Sequence, residues 1–210
     1  MTCALLVIAK APVAGRSKTR LTPPCTPDDA ALLAGAALRD TLEAVAATPA
    51  ARRVCVLDGE PGAWLPRGFD VIAQRGDGLD ERLANAFADV AEPALLIGMD
   101  TPQVTPGLLR SAARRLEDPD VDAVLGEAPD GGYWALGLRD GDPALLRGVP
   151  MSTAGTCASQ RARLGARGLR VGELPVLRDV DDIADARAAA RQAPRGRFAR
   201  TLATVEERLA

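Results

Sequence analysis

Short apolar runs alternate with segments of helical periodicity along the chain. The first run, Cys3 to Ala9, is continuously apolar, which is typical of a strand buried on both faces of a sheet. Further strands are predicted at 53–57, 69–73, 94–97, 122–126, 133–138 and 169–174. Helices are predicted from a Thr26 cap to about Ala47, at 80–90, 106–116, 152–164 and 183–192, and after Pro194. This alternation predicts an α/β, Rossmann-like fold with a mostly parallel sheet flanked by helices.

The length and composition fit one soluble domain over residues 1–210. The chain has 210 residues, of which 47% are hydrophobic and 26% are charged, and it has no low-complexity linker. No apolar stretch reaches the length of a membrane span, and the apolar start leads into a polar loop rather than a cleavage site. We therefore expect a cytoplasmic protein without a membrane partner.

Charge and residue usage exclude several classes of function. The net charge of −2 and the aromatic content of 3% disfavour a nucleic-acid partner. Because the chain has no histidine, it has no Ser-His-Asp triad, no Cys-His pair and no histidine-ligated metal. Its four cysteines form no CxxC motif. Any catalysis must depend on carboxylates, cations, backbone amides or a metal held by oxygen.

A basic loop follows the first predicted strand. Four cations lie within eleven positions, at Lys10, Arg16, Lys18 and Arg20, and Gly15 allows a close approach of the backbone. Lys and Arg together suit a di- or triphosphate, and ligands of open α/β sheets bind beyond the carboxyl ends of the strands. The loop is not a Walker motif, and the alternative is a solvated basic loop. We predict phosphate binding by these residues.

Carboxylates follow two other strands. Asp100 comes directly after the strand 94–97, where an acid is well placed to hold magnesium or manganese, although a turn or helix-capping role is the alternative. Asp179 or Asp181 could supply a second metal ligand, whereas Asp182, at a predicted helix start, is interpreted as a cap.

Two glycine-containing segments complete the candidate site. Asp130, Gly131, Gly132 and Tyr133 lie between two strands, and they predict either a hairpin turn or a wall for a sugar or other acceptor group.

The second of these segments, 74–87, starts with a glycine-rich loop that leads into a helix. The helix N-terminus could face an anion, and Arg82 and Asn85 share one helix face. A solvated helix face is the alternative for that pair.

Six motifs occur in an order that resembles a known superfamily. They are IAKAPVAGRSKTRL, QRGDGLDERLANAF, IGMDTP, PDGGYWALGL, PMSTAGT and RDVDDIADA. From about Leu5 to Ala186 the chain resembles a bacterial transferase family of the glycosyltransferase-A superfamily, which has the nucleotide-diphospho-sugar transferase fold. The superfamily also includes nucleotidyltransferases that make molybdenum cofactor dinucleotides, and phospholactate guanylyltransferase.

The resemblance implies roles for particular residues. Lys10, Arg16, Lys18 and Arg20 would bind phosphates. Asp100 would match the superfamily's metal aspartate, with Asp181 as the second ligand. The usual DxD motif is reduced here to one aspartate, because a glycine stands two positions before it.

Three hypotheses for function follow. The first is metal-dependent glycosyl transfer from a nucleotide-sugar to a small acceptor, with Lys18 and Arg20 stabilising the leaving diphosphate and Asp130 or Glu127 as the base. The second is nucleotidyl transfer, in which a phosphorylated small molecule attacks a nucleoside triphosphate and needs no base. The third is a non-catalytic nucleotide-binding protein. We place glycosyl transfer slightly ahead because related sequences carry that assignment.

Overall fold

One sheet forms the centre of the fold in a computed structural model that describes residues 3–209. Seven strands are found in that part of the chain, in the order β3-β2-β1-β4-β6-β5-β7. They are β1 (Ala4–Lys10), β2 (Arg53–Asp58), β3 (Asp70–Ala73), β4 (Ala94–Gly98), β5 (Ala123–Glu127), β6 (Tyr133–Leu138) and β7 (Val171–Glu173). Only β6 runs antiparallel to its neighbours, because a tight turn joins it to β5. The mostly parallel sheet is therefore confirmed.

Helices cover both faces of the sheet. They are α1 (Pro27–Ala46), α2 (Leu79–Val90), α3 (Pro106–Glu117), α4 (Thr156–Ala166), α5 (Ile183–Gln192) and α6 (Arg197–Leu209). Buried residues of α1 and α3 pack on one face of the sheet, and those of α2 and α4 pack on the other. No helix within residues 3–209 is both long and apolar enough to cross a membrane.

The continuous apolar run of β1 results from burial on both faces. Leu5 and Val7 point into the layer of α1 and α3, whereas Leu6 points into the opposite layer, and all three side chains are fully buried. Parallel pairing with β2 and β4 places β1 near the middle of the sheet. The loop that follows Lys10 therefore starts at the centre of the carboxyl edge.

The last two helices pack on the outer side of α1 and form a third buried cluster, here called the C-terminal cluster. It contains Phe198, Leu202 and Val205 of α6, together with Leu21 and Val180. Leu21 ends the basic loop, and Val180 precedes the acids before α5. The C-terminal cluster therefore holds two segments of the candidate site against α1.

Two predicted elements differ from the structure by more than one residue at an end. The helix predicted from residue 152 begins only at Thr156, because Ser152 has a φ of 57°, which an α-helix does not accommodate. The strand predicted at 169–174 is shortened to Val171–Glu173, since the Leu169 amide donates to the Leu164 carbonyl and ends α4. Neither difference moves a candidate site residue.

Candidate active site

The basic loop folds back on itself directly after β1. The Ser17 hydroxyl accepts a hydrogen bond from the Val13 amide at 3.0 Å and donates to the Ala11 carbonyl at 3.3 Å. Gly15 makes the turn with a φ of 74°. Lys18 follows with the left-handed backbone angles φ 50° and ψ 43°. These bonds close the loop into a turn with its cations at the carboxyl edge of the sheet.

Asp100 is held beside this loop by the neighbouring strand. β4 pairs in parallel with β1 and also ends at the carboxyl edge, with Gly98 opposite Ile8. The buried Thr41 hydroxyl of α1 lies 3.4 Å from the carbonyl of Thr101 and 3.5 Å from that of Met99, and so supports the turn from α1. The Asp100 carboxylate is thereby placed beside the basic loop.

The acidic segment before α5 is tied to the same turn. The Val180 amide donates to the Asp100 carbonyl at 2.9 Å, and the Gln103 side-chain amide donates to the Arg178 carbonyl. Asp182 caps α5 through a capping box with Asp185, so the interpretation of Asp182 as a cap is confirmed. Asp181, one residue earlier, is brought to the basic loop.

Lys18 joins the three segments. Its Nζ lies 2.8 Å from Asp100 Oδ2 and 3.5 Å from Asp181 Oδ1, and it donates to the Val180 carbonyl. Arg20 Nη1 lies 2.8 Å from Asp181 Oδ2. Burial of the Lys18 ammonium, 10% exposed, favours its neutral form, but the charge and hydrogen bond of Asp100 together with the charges of Asp181 and Asp179 outweigh burial and raise the pKa of Lys18. Lys18 is therefore a buried, charged cross-link.

A cleft of about 230 Å³ opens over this network. Its lining consists of Lys10, Arg16, Ser17, Lys18, Thr19, Arg20, Ala34, Met99, Asp100 and Asp181. All four cations of the basic loop thus meet the carboxylates of Asp100 and Asp181 at one cleft. Within residues 3–209, Lys10 and Arg16 form no ion pair with a carboxylate. These two charges are free to bind an anionic ligand.

A second group of carboxylates adjoins the cleft at Asp181. Ligand oxygens of Asp130, Asp179 and Asp181 lie within 4.8 Å of one another. Burial of Asp179, aided by the charges of Asp130 and Asp181, raises its pKa to about 6. Such a group fits a hard divalent cation, because magnesium and manganese prefer carboxylate oxygens. Asp100 is not a member of this group, but it contacts the same Lys18 ammonium as Asp181, and its Oδ1 is buried without a hydrogen-bond partner among residues 3–209.

The segment from Asp130 to Tyr133 forms the hairpin turn between β5 and β6. Asp130 Oδ1 accepts a hydrogen bond from the Gly132 amide at 2.8 Å, while its carboxylate stays exposed in the acidic group. Gly131 has a φ of 87°, and a Cβ there would overlap the Ala154 carbonyl oxygen. Tyr133 packs on the layer of α2 and α4, and burial raises its pKa. Its hydroxyl faces Met151 Sδ at 3.9 Å rather than the cleft.

Arg82 and Asn85 lie on α2, outside the cleft lining. Arg82 Nη1 is 3.5 Å from Asp58 Oδ2 at the end of β2, next to Lys10 in the sheet register. Asn85 donates to the Arg75 carbonyl at 2.7 Å and accepts from Arg147 at 3.0 Å. Arg82 Nε also donates to the Gly76 carbonyl at 3.1 Å, so both side chains hold the 74–78 loop at the same edge of the sheet. Their contact with a substrate remains a prediction.

Sequence reasoning missed two residues that shape the site. Ser17 closes the basic loop and Thr41 supports the Asp100 turn, and both side chains are buried. Ser17 could have been found from the sequence, because it is a hydroxyl residue within the cationic run. Thr41 had no such signal, because it lies within an apolar helical pattern and contacts a segment about 60 residues away.

Comparison with known proteins now places the chain in a family. A family of uncharacterized proteins conserved in bacteria, DUF2064, matches residues 34–153. The chain belongs to this DUF2064 family. The matched span contains Asp100 and the Asp130 hairpin but not the basic loop or Asp181. A search of curated proteins finds no match to the sequence.

Solved structures confirm the fold of this DUF2064 protein. A protein of Desulfovibrio desulfuricans G20, provisionally assigned as a nucleotide-diphospho-sugar transferase, is 28% identical over 98% of this chain and 94% of its own, with a TM-score of 0.84. The 2-C-methyl-D-erythritol 4-phosphate cytidylyltransferase of Thermus thermophilus is 18% identical over 92% of this chain and 100% of its own (TM-score 0.57).

A third structure, CMP:2-keto-3-deoxy-manno-octonic acid synthetase with CTP, is 14% identical over 92% of this chain and 99% of its own, with a TM-score of 0.58. The neighbours are therefore transferases and nucleotidyltransferases, and the predicted superfamily fold is confirmed.

Proposed function

We propose that this DUF2064 protein is a transferase that binds the polyphosphate of a nucleotide in the cleft behind β1. Nucleotidyl transfer to a phosphorylated small molecule is the reaction that the geometry supports best. The observation that carries the proposal is the cationic wall of the cleft, where Lys10 and Arg16 have no carboxylate partner within residues 3–209. Cations that have no internal counter-charge are suited to a ligand with several negative charges.

The proposed reaction needs only groups of the kinds the cleft contains. A phosphate oxygen of the acceptor attacks the α-phosphorus of a nucleoside triphosphate, the bond to the β-phosphate oxygen breaks, and pyrophosphate leaves. The nucleophile is already ionised near neutral pH, so no base is required. Arg16 and Arg20 would hold the phosphate oxygens, and Lys10 and Lys18 would neutralise the charge that develops on the leaving pyrophosphate.

A divalent cation, magnesium or manganese, is part of the proposal. The donor set fits it, because Asp100 has an unpartnered buried oxygen and Asp181 belongs to a group of carboxylates. We assign Asp100 and Asp181 as ligands, with Asp179 as a third candidate. When bound, such an ion neutralises phosphate charge and orients the phosphate chain.

Glycosyl transfer from a nucleotide-sugar is the second candidate. It is supported by the provisional assignment of the Desulfovibrio protein and by the exposed carboxylate of Asp130, which could take a proton from an acceptor hydroxyl. We place it second because Asp130 is not part of the cleft lining, and the Gly132 amide holds its Oδ1 in the hairpin turn. We therefore propose nucleotidyl transfer ahead of glycosyl transfer, the reverse of the order expected from the sequence.

The products distinguish the candidates. The protein is incubated with magnesium or manganese and each nucleoside triphosphate plus phosphorylated acceptors, and separately with nucleotide-sugars. We expect pyrophosphate release in the first set. Release of a nucleoside diphosphate in the second set would instead establish glycosyl transfer. Tight nucleotide binding without turnover in either set would overturn both and leave a non-catalytic nucleotide-binding protein.

An Asp100→Asn variant tests the site itself. We expect its metal-dependent turnover to fall by about 100-fold or more, because the change removes a charge from the proposed metal and phosphate site. Its thermal unfolding should show that it still folds. Asp140→Asn, a change of an exposed acid after β6, is the matched control. Unchanged turnover in Asp100→Asn would remove Asp100 from the active site.

A further inference from the structure

The proposed function assigns Asp100 and Asp181 as ligands of a divalent cation. In the structure, the Lys18 ammonium lies between these two carboxylates. Its Nζ lies 2.8 Å from Asp100 Oδ2 and 3.5 Å from Asp181 Oδ1, and it donates to the Val180 carbonyl. The ammonium therefore has three oxygen contacts, from the type of donor atom that magnesium and manganese prefer. The protein supplies its own cation at that place.

The carboxylates around this position outnumber the cations that pair with them. Lys18 and Arg20 neutralise at most two of four carboxylates. Those four are Asp100, Asp130, Asp179 and Asp181. Asp100 Oδ1 is buried and accepts no hydrogen bond from residues 3–209, although Oδ2 of the same group contacts Lys18. The site thus has an excess of negative charge and an unpaired oxygen donor, and both favour a cation of higher charge than an ammonium.

The choice of lysine at this position is itself unusual for the chain. The sequence contains 26 basic residues, of which only Lys10 and Lys18 are lysines, and both line the cleft. Arg binds carboxylates with a rigid fork, whereas Lys is a compact point charge on a flexible stem. A group that must leave its carboxylate partners is better made from Lys than from Arg.

We propose that Lys18 is an exchangeable cation. Without ligand its ammonium pairs with Asp100 and Asp181, and it moves to the polyphosphate when a divalent cation takes those carboxylates. This inference rests on the proposed function, from which it takes the metal and the polyphosphate. Two cations held by the same carboxylate oxygens repel each other strongly at protein-like dielectric, so ammonium and metal cannot share the position.

The consequence is a coupling between metal and nucleotide. Metal alone must displace Lys18 from Asp100 and Asp181 with no polyphosphate to receive the ammonium, so it binds weakly. A polyphosphate in the cleft receives the displaced ammonium, and the metal then binds more tightly. By linkage, metal strengthens polyphosphate binding by the same factor.

Binding of manganese alone, measured by electron paramagnetic resonance, tests the exchange. Lys18→Gln removes the charge and keeps an N–H donor for the Val180 carbonyl, and we expect it to bind manganese at least about tenfold more tightly than the wild type. Lys10→Gln is the matched control, because it removes a lysine charge from the same cleft without breaking an ion pair with a carboxylate. It should change the affinity by less than about threefold.

A labelling experiment on the wild type gives a second readout that does not depend on a variant. Acetic anhydride labelling followed by mass spectrometry reports Lys10 and Lys18 separately, since the chain has no other lysine. We expect saturating manganese to raise the labelling of Lys18 several-fold relative to that of Lys10. Exchange requires Lys18 to leave its buried ion pairs, so the labelled amine becomes accessible only then.

Two results would overturn the exchange. One is equal manganese affinity in the wild type and Lys18→Gln, or an equal gain in Lys10→Gln. The other is unchanged Lys18 labelling at a manganese concentration that saturates the spectrum. The product assay on the same wild-type preparation is independent of both, so turnover with these negative results would leave the proposed function in place.

Discussion

Lys18 combines an uncommon backbone conformation with a buried charge. Its φ of 50° lies in the left-handed region, which costs a residue with a Cβ roughly 1–2 kcal/mol. The ion pair with Asp100 and the bond to the Val180 carbonyl hold it there. Because Lys18 also links separate segments, its substitution affects both structure and binding, and a cleaner test of phosphate binding requires another cation.

Arg16 is a cation of the basic loop whose substitution tests phosphate binding without breaking a structural ion pair. It is exposed, lines the cleft and forms no carboxylate ion pair within residues 3–209. We expect Arg16→Ala to weaken nucleotide affinity by about tenfold, since a charge-assisted hydrogen bond contributes about 1.5 kcal/mol, with no change in melting temperature. Isothermal titration measures the affinity. Arg114→Ala, on the exposed side of α3, is the control, and equal affinities in both variants would contradict phosphate binding by Arg16.

Asp179 predicts a pH dependence of stability in the absence of metal. Its pKa is raised to about 6 from an ordinary value of 3.8, so the folded state holds a proton that the unfolded state has lost between these values. The contribution of Asp179 to the free energy of unfolding therefore decreases as the pH rises from about 4 to about 6. Urea unfolding of the wild type with chelator should show this decrease relative to Asp179→Asn. Parallel pH curves for the two proteins would rule it out, and Asp140→Asn should follow the wild type.

Helix α1 illustrates how local signals define an element. Thr26 caps the helix and forms a capping box with Asp29, and Pro27 occupies the first turn. Asp29 also accepts a hydrogen bond from Arg208 of α6. The cap thus begins α1 and also ties it to the C-terminal helix.

Removal of that carboxylate should destabilise the protein at neutral pH. We expect Asp29→Ala to lower the free energy of unfolding by about 1–2 kcal/mol, because it removes one half of the capping box and the bond to Arg208. The hydrogen bond from Thr26 lowers the pKa of Asp29, so this contribution is present above pH 3.8 and is lost as the pH falls further. Denaturant unfolding at pH 7 and pH 3 measures both effects. Asp28→Ala, an adjacent exposed acid, should cost less, and an equal loss would argue against the cap.

At the scale of the whole molecule, the C-terminal cluster packs against the segments that form the cleft. Leu21 and Val180 are buried in it with Phe198, and they flank the basic loop and Asp181 respectively. The helix α6, far from the cleft in sequence, therefore holds two of its walls.

A cavity in this cluster should disturb the site at a distance. We expect Phe198→Ala to cost about 3–4 kcal/mol in stability and to increase hydrogen exchange at residues 16–25. Leu164→Ala, in the opposite layer, is the matched control for loss of core volume. It should lower stability without increased exchange in that loop. Similar exchange in the two variants would show that the C-terminal cluster does not position the cleft.

The order of strands and helices was predictable because its signals are local. Residue period, helix caps and apolar runs act over a few neighbours, and they defined the elements of the sheet and the basic loop behind β1. The interpretation of Asp182 as a helix cap rested on the same kind of signal and is confirmed. The predicted start of α4 was wrong because the positive φ of Ser152 depends on the surrounding structure rather than on its residue type.

Only the tertiary structure decided which charges meet. Lys18 and Asp181 are 163 positions apart, yet their charged atoms lie 3.5 Å from each other, while Tyr133 and Arg82 lie outside the cleft lining. Ion pairing, burial and pKa depend on distances of a few ångströms between segments remote in sequence. A local pattern can therefore predict that a loop is cationic, but the packing of β4, α1 and the segment before α5 determines which of its cations are free for a ligand.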